Sequence, residues 1–332
     1  MNKRLLSSIV IVAGFLVFAF FQGSHSANSQ AKVPKVGILQ LVTHPALDEI
    51  HQGVVAGLKH EGYVNGKSVK IDYQNAQANQ ANLKTMAQNF INRGDNLTIG
   101  IATPAVLSLA KAANGQSPVI LAGITDPVGA KLVKSIDKPG ANITGTSGDS
   151  PLAAHLDVIK KVAPQAKTLG IIYTSSDHGG TYHAKKMEKL AQAQGMQVKM
   201  YTIASTNDMQ QVAETMAGQV DVVYAPQDNG VASAMKTLIS ATNQAKIPVI
   251  PATDTMVKDG GIATMSVSQF DIGYQAGLMA GKVLKGQKPA TMPVHAVTKG
   301  SLVVNTKEAQ LLGIDLPANM VQEAQEHGEV IQ

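Results

Sequence analysis

The chain has no cysteine and no tryptophan, and only 4% of its 332 residues are aromatic. Without cysteine there are no disulfides and no attachment through a lipid on a thiol, so the fold rests on its core alone. Charged residues make up only 15%, with a formal net charge of +5. No lysine- or arginine-rich run interleaved with aromatics occurs, which leaves nucleic-acid binding without support. The surplus positive charge allows only nonspecific attraction to acidic polymers or lipid head groups.

Enzyme motifs are also lacking. There is no G-x-G-x-x-G dinucleotide fingerprint and no G-x-S-x-G nucleophile elbow. "GYVNGKS" (62–68) is one residue short of a phosphate-binding loop and leads into a strand, so it reads as a helix-to-strand turn. His44, His51 and His60 do not form H-E-x-x-H, and His178 and His183 have no partners at metal-ligand spacing. A catalytic reading has no anchor, and no cofactor or metal is expected.

What is present begins at the N-terminus. Lys3 and Arg4 precede the uncharged run "IVIVAGFLVFAFF" (9–21), and "GSHSANS" follows with small residues at Ser24 and Ser26. This is an export signal over 1–27, either cleaved or retained as a membrane anchor. Both place the remainder outside the cytoplasm, secreted or held on the outer face of the membrane. Residues 28–34 read as a linker.

From residue 35, apolar strand-like runs alternate with amphipathic helical ones: "KVGILQ", a helix at 47–62, "VKIDYQ", a helix at 81–94, "LTIGIA", a helix at 104–113, then "VILAGI". The pattern predicts parallel βαβ units in an open, doubly wound α/β sheet. "DKPGANITGTSGDSP" (137–151) interrupts it as a crossover. The alternation restarts with helices at 152–162, 181–194, 207–217 and 230–245, and with strands "LGIIYT", "VKMYTI", "DVVYAP" and "PVIPAT". A helix at 271–285, a strand "SLVVN" and a short polar tail complete it.

Five strands end in polar side chains: Thr103; Thr125-Asp126; Thr174-Ser175-Ser176-Asp177; Gln227-Asp228-Asn229; and Thr253-Asp254-Thr255. In open α/β sheets these carboxyl ends line the ligand crevice, where helix N-termini suit an anion and an Asp suits an ammonium. Each site also has a plainer reading. Asp126 before Pro127 and Thr103 before Pro104 carry the signature of helix N-caps, as do Asp228 and Asn229, and Ser175 and Ser176 suit a turn.

The stretches "VGILQLVTHPALDEIHQGVVAGLKHEGYVNGKSVKIDYQNAQ", "IATPAVLSLAKAA", "ITDPVGAKLVKSIDKPGANITG", "VYAPQDNGVASA" and "DIGYQAGLMAGKVLKGQKPA" resemble the ABC-transporter substrate-binding family that includes tryptophan- and other aromatic amino-acid-binding proteins. They are spread over about residues 35–305. The resemblance implies a type I periplasmic-binding-protein fold: two Rossmann-like α/β lobes joined by a three-strand hinge that close on a ligand. It implies an N-lobe of 35–144 plus 262–289 and a C-lobe of 145–258 plus 292–325. It also implies a monomer that presents an amino acid, favouring tryptophan or another aromatic, to a membrane permease with a cytoplasmic ATPase. An organic acid or purine-like solute is the alternative, with a non-transport sensor behind it.

Carried over by resemblance, Gln40 and His44 lie in the first strand-to-helix loop, and Thr103, Thr125 and Asp126 on the N-lobe rim. Ser147, Ser175, Ser176, Asp228, Asn229 and Asp254 lie on the C-lobe and hinge side. Hydroxyls and amides would hold the ligand carboxylate, with an Asp opposite its ammonium. The sequence departs from the family in lacking a lipid-bearing cysteine and in the Gly-Gly of "TSSDHGGTYH" (174–183).

Overall fold

In this computed structural model, which describes residues 33–332, the apolar runs form strands and the amphipathic runs the helices between them. The export segment (1–27) and the linker up to residue 32 lie outside the described residues. Among the described residues no helix is long and apolar enough to cross a membrane.

The first lobe begins with β1 (Lys35–Gln40), α1 (Pro45–His60), β2 (Lys70–Asn75), α2 (Gln80–Asn92), β3 (Leu97–Ile101), α3 (Thr103–Ala113), β4 (Val119–Ile124) and β5 (Ile143–Ser147). The chain then crosses over to α4 (Leu152–Val162), β6 (Thr168–Thr174), α5 (His178–Ala193), β7 (Gln197–Ile203), α6 (Met209–Ala217) and β8 (Val222–Ala225). These are followed by α7 (Asn229–Ser233), α8 (Met235–Gln244), β9 (Val249–Pro251), α9 (Asp254–Lys258) and β10 (Ala263–Val267). It returns through α10 (Gln269–Leu284) and β11 (His295–Ala296). It crosses again to β12 (Gly300–Asn305), α11 (Thr306–Leu312), α12 (Ala318–His327) and β13 (Glu329–Ile331).

The first sheet is parallel throughout, in the order β11-β5-β4-β3-β1-β2, and the second is parallel in the order β7-β6-β8-β9. Helices cover both faces, so inner strands such as β3 are buried at every residue and, Thr98 apart, read as apolar runs. The two α/β lobes of the expected fold are both present.

The strand β10 falls inside the range expected for the N-lobe, yet it pairs antiparallel with β12. Its first residue Ala263, with Ile262 just before it, packs into the second lobe's core, while Val267 packs into the first lobe's. The chain therefore passes between lobes after Ser147, at Val267 and after Ala296.

The two helices that frame the first lobe's inner edge meet backbone to backbone. A Cβ on Gly53 of α1 would lie 2.1 Å from the Phe270 carbonyl, and one on Gly273 of α10 only 1.9 Å from that of Ile50. Gly57 and Gly277 repeat the contact one turn on. Any larger residue would separate the helices, so this glycine seam sets the position of α1 on α10.

Three expectations are corrected. The stretch after β4 is not a helix: Asp126 Oδ1 accepts from the Gly129 amide at 2.8 Å, and Lys131 turns to φ +59, so it runs as successive turns. The helix expected at 230–245 is two, α7 and α8, broken at Ala234. The C-terminal stretch is not a tail, because α12 buries Met320 and Ala324 and β13 pairs in parallel with β12. Its polar residues cover the outer face of those elements.

Candidate functional site

Between the lobes lies a narrow, partly enclosed cavity, with about 480 Å³ of non-atom space that includes open solvent. N-terminal ends of helices from both lobes meet around it. α1 contributes His44, Leu47 and Ile50, α3 contributes Thr103, and α5 contributes Asp177 and Gly179. α7 adds Asp228 and Asn229, α9 is preceded by Thr253, and α10 begins with Gln269. First-turn amides have no partner inside their own helix, and the aligned peptides place partial positive charge there. No side chain caps α1 or α3, so their first turns suit an anionic group, whereas Asp177 and Asp228 take amides of α5 and α7.

At the mouth, His44 occupies the N-cap position of α1 in extended backbone, with Pro45 at the first helical position. Its Nε2 lies 3.2 Å from Oδ1 of Asn229 in the other lobe. The Asn229 amide is oriented by Asp177, whose Oδ2 accepts from Nδ2 at 2.5 Å and from the Asn229 backbone N–H at 3.2 Å. Nε2 of His44 is therefore the donor, and its buried Nδ1 is an acceptor with no partner among the described residues. Burial lowers the imidazole pKa, which keeps it neutral.

Asp177 caps α5 through the Gly180 amide. Beside it Asp228 caps α7 through Val231 and accepts from both the amide and the hydroxyl of Thr174. Burial, aided by the charge of Asp177, pushes the Asp228 carboxyl up to about 7. Both residues are buried, and among the described residues no lysine or arginine forms an ion pair with either.

The Gly-Gly of 179–180 has a steric cause here. A Cβ on Gly179 would lie 2.9 Å from Oγ1 of Thr125 in the opposite lobe, and one on Gly180 would overlap the Asp228 carboxylate at 2.0 Å. The pair lets α5 approach the N-lobe rim and leaves room for the buried carboxylate.

At the hinge end a chain of amides closes the cavity. Ser150 Oγ donates to Gln227 Oε1 at 3.1 Å, Gln227 Nε2 approaches Gln269 Oε1 at 3.5 Å, and Gln269 Nε2 donates to the Val267 carbonyl at 3.1 Å. Ile50, Gly123 and Met256 supply the apolar wall around it.

Five of the residues expected from sequence line this cavity: His44, Thr103, Thr125, Asp228 and Asn229. Thr103 is the first residue of α3 and not its cap. The cap position is Ala102, held at φ +73, a backbone that costs an alanine on the order of 1–3 kcal/mol. Gln40 is buried behind the first loop, where Nε2 bridges the Val42 carbonyl and Asp48. Asp126 and Ser147 face a separate crevice beside the crossover, and Asp126 lies 3.7 Å from His178. Ser175 and Ser176 are exposed turn residues, Ser176 on an outer groove beneath α3. Asp254 pairs with Ser266 and Lys258 away from the cavity. Asp177, Gln227 and Thr253 complete the lining from the same polar strand ends, and Gln269 lines it from the helix after the second crossing. Among the described residues, no group of three or more His, Asp or Glu is placed to hold a metal.

Two lobes, a hinge of three crossings and a cavity ringed by helix N-termini define a solute receptor. The chain belongs to the ABC transporter substrate binding protein family, whose model matches residues 35–328. It is 31% identical over 326 residues to a tyrosine-binding protein of Clostridioides difficile (strain R20291), covering 95% of this chain and 93% of that one. Among solved structures it is similar to an ABC domain in complex with L-Trp from Streptococcus pneumonia. That match has 39% identity, a TM-score of 0.86, and coverage of 90% of this chain and 99% of the other. It is also similar to a ligand-free, open substrate binding protein with adhesive properties from Clostridium difficile, at 33% identity and a TM-score of 0.70, with coverage of 90% and 99%. The chain is the solute-binding component of an ABC transporter, a binding protein and not an enzyme, of an extracytoplasmic family.

Proposed function

We propose that the chain binds an aromatic amino acid, tryptophan or tyrosine, as a zwitterion in the interlobe cavity and delivers it to a membrane permease driven by a cytoplasmic ATPase. The observation that carries the reading is the pair of buried carboxylates, Asp177 and Asp228, which meet the cavity without a cationic side chain. A buried charge is stable when paired, and a ligand ammonium supplies the missing partner. The first-turn amides of α3 and α5, with the hydroxyls of Thr103 and Thr125, suit the α-carboxylate. Relatives named for tyrosine and solved with L-Trp favour an aromatic side chain. The higher TM-score to the L-Trp complex than to the ligand-free, open relative supports a closed arrangement.

The wall against the side chain is aliphatic and thioether, from Ile50, Leu47 and Met256, which packs a ring without stacking on another. The basic, apolar N-terminus supports residence on the outer face of the membrane through a retained segment, or secretion after cleavage. Thermal-shift and calorimetric titration of the purified protein with each amino acid test the reading. A ligand at a hundred times its Kd stabilises by about 2.7 kcal/mol. Stabilisation by tryptophan or tyrosine is the expected result. A flat response to both, with a shift from an organic acid or a purine, rejects it.

A further inference from the structure

We propose that Gln227 and Gln269 determine specificity by reading the polar hydrogen of the ligand's ring, so that the receptor selects indole and phenol side chains over phenyl. The inference rests on the aromatic amino-acid reading above and adds which end of the cavity recognises the ring, and how.

The cavity has two chemically distinct ends. Gly179 closes on Thr125 beside Asp177 at the mouth, and Asp177, Asn229 and His44 form one hydrogen-bonded group there. Asp177 and the first turns of α3 and α5 take the amino acid's charged head. The two amides adjoin the apolar wall of Ile50 and Gly123, with Gln227 Nε2 3.6 Å from where a Cβ on Gly148 would sit. The ring of a ligand held by its head points there.

An aliphatic floor alone would serve phenyl, phenol and indole equally, and this floor carries two primary amides. Their orientation is set from outside the cavity. The Val267 carbonyl takes the Gln269 Nε2 hydrogen, which turns Oε1 inward, and Ser150 donates to Gln227 Oε1, which turns Nε2 inward. Gln269 is 1% exposed, and its Oε1 receives only the 3.5 Å contact from Gln227, too long to be a full hydrogen bond. A buried acceptor in that state gains from a ring N–H or O–H, and the remaining Gln227 N–H suits a phenol oxygen. A phenyl ring would leave Gln269 Oε1 with only its long contact to Gln227, and sites built to bond a polar group discriminate against analogues that lack it.

Calorimetric Kd values for tryptophan, tyrosine and phenylalanine, measured on the wild-type chain and on Gln269→Met, Gln227→Met and Asp177→Asn, test the proposal. The wild type is expected to bind phenylalanine about tenfold to a hundredfold more weakly than the better of the other two. Gln269→Met and Gln227→Met, each checked for an unaltered unfolding transition without ligand, are expected to bring the ratios toward one. Asp177→Asn is expected to weaken all three by a common factor and keep the ratios. Equal wild-type affinity for the three ligands overturns the inference and leaves the aromatic reading standing, as do ratios that survive both methionine variants. Failure of all three ligands to bind the wild type overturns both.

Discussion

Nε2 of His44 donates to Oδ1 of Asn229 at 3.2 Å, joining the two lobes directly over the cavity mouth. Asp177 fixes the direction of that bond by holding the other end of the same amide. The bond forms only when the lobes meet, so it contributes to the closed state and not to either lobe alone. Asn229→Ala is expected to weaken ligand binding about five- to tenfold, the size of one hydrogen bond. It should also enlarge the ligand-free particle in small-angle X-ray scattering. An unchanged affinity and radius would show that closure does not use it.

Asp177 and Asp126 are predicted to behave differently although both end a strand. Asp177 lines the cavity, whereas Asp126 Oδ1 bonds the Gly129 amide within its own turn. Asp177→Asn should lower amino-acid affinity about tenfold to a hundredfold through loss of a charged hydrogen bond. Asp126→Asn should change it less than about threefold, as read by calorimetry.

Affinity should depend on pH through Asp228. Its carboxyl is held up to about 7 by burial and by the charge of Asp177, and a bound ammonium would lower it. The empty protein then carries a proton that the complex does not, so binding releases it below about pH 7 and affinity falls as the pH drops from about 8 toward 5.5. The slope approaches but does not exceed about tenfold per unit for one proton. Titrations in buffers of different ionisation enthalpy count the proton, and Asp228→Asn should flatten the profile.

His155 governs a separate acid sensitivity. It is wholly buried, with Nε2 donating to the Met265 carbonyl at 2.9 Å and Nδ1 accepting from the Tyr224 hydroxyl at 3.0 Å. Burial lowers its pKa to about 4. The unfolded chain therefore binds the extra proton between about pH 6.5 and pH 4, and this contribution to stability is lost as pH falls through that window. The loss is on the order of 3 kcal/mol. Urea unfolding at about pH 7 and about pH 4.5 should show a smaller difference in His155→Leu than in the wild type. Asp228 titrates in both proteins, in the opposite direction, and cancels from the comparison.

The glycine seam predicts the largest structural penalty. Gly273→Ala puts a Cβ within 1.9 Å of the Ile50 carbonyl, a backbone atom that cannot move aside alone. A loss of about 3 kcal/mol is expected in urea unfolding. Alanine at Gly195, where a Cβ would meet nothing within 4 Å but φ is +82, should cost less.

Much of the architecture was legible because parallel strands covered on both faces are apolar, as β4 is throughout and β3 is apart from Thr98. The C-terminal elements were hidden because α12 buries only Met320 and Ala324, too few to mark a period. At the candidate site, the polar strand ends marked the edge of the sheets that faces the cavity, and they included Asp177, Gln227 and Thr253. Choosing among neighbours failed where local turn geometry decides. Asp126 folds back on Gly129, while Asp177, equally a cap, lines the cavity and holds the Asn229 amide that reaches His44. Gln269 stands two residues after β10 ends, and its place depends on where the second crossing returns to the first lobe. No periodicity encodes that.

The backbone contact between α1 and α10 separates what can change in this receptor from what cannot. His44, Leu47 and Ile50 project from one of the two helices and Gln269 from the other, and the glycines between them leave no side chain through which a substitution at either end could shift the partner. Ligand preference can therefore drift by exchange of single cavity residues while the frame that aims them stays constant, and a repertoire of receptors for different solutes becomes reachable one substitution at a time.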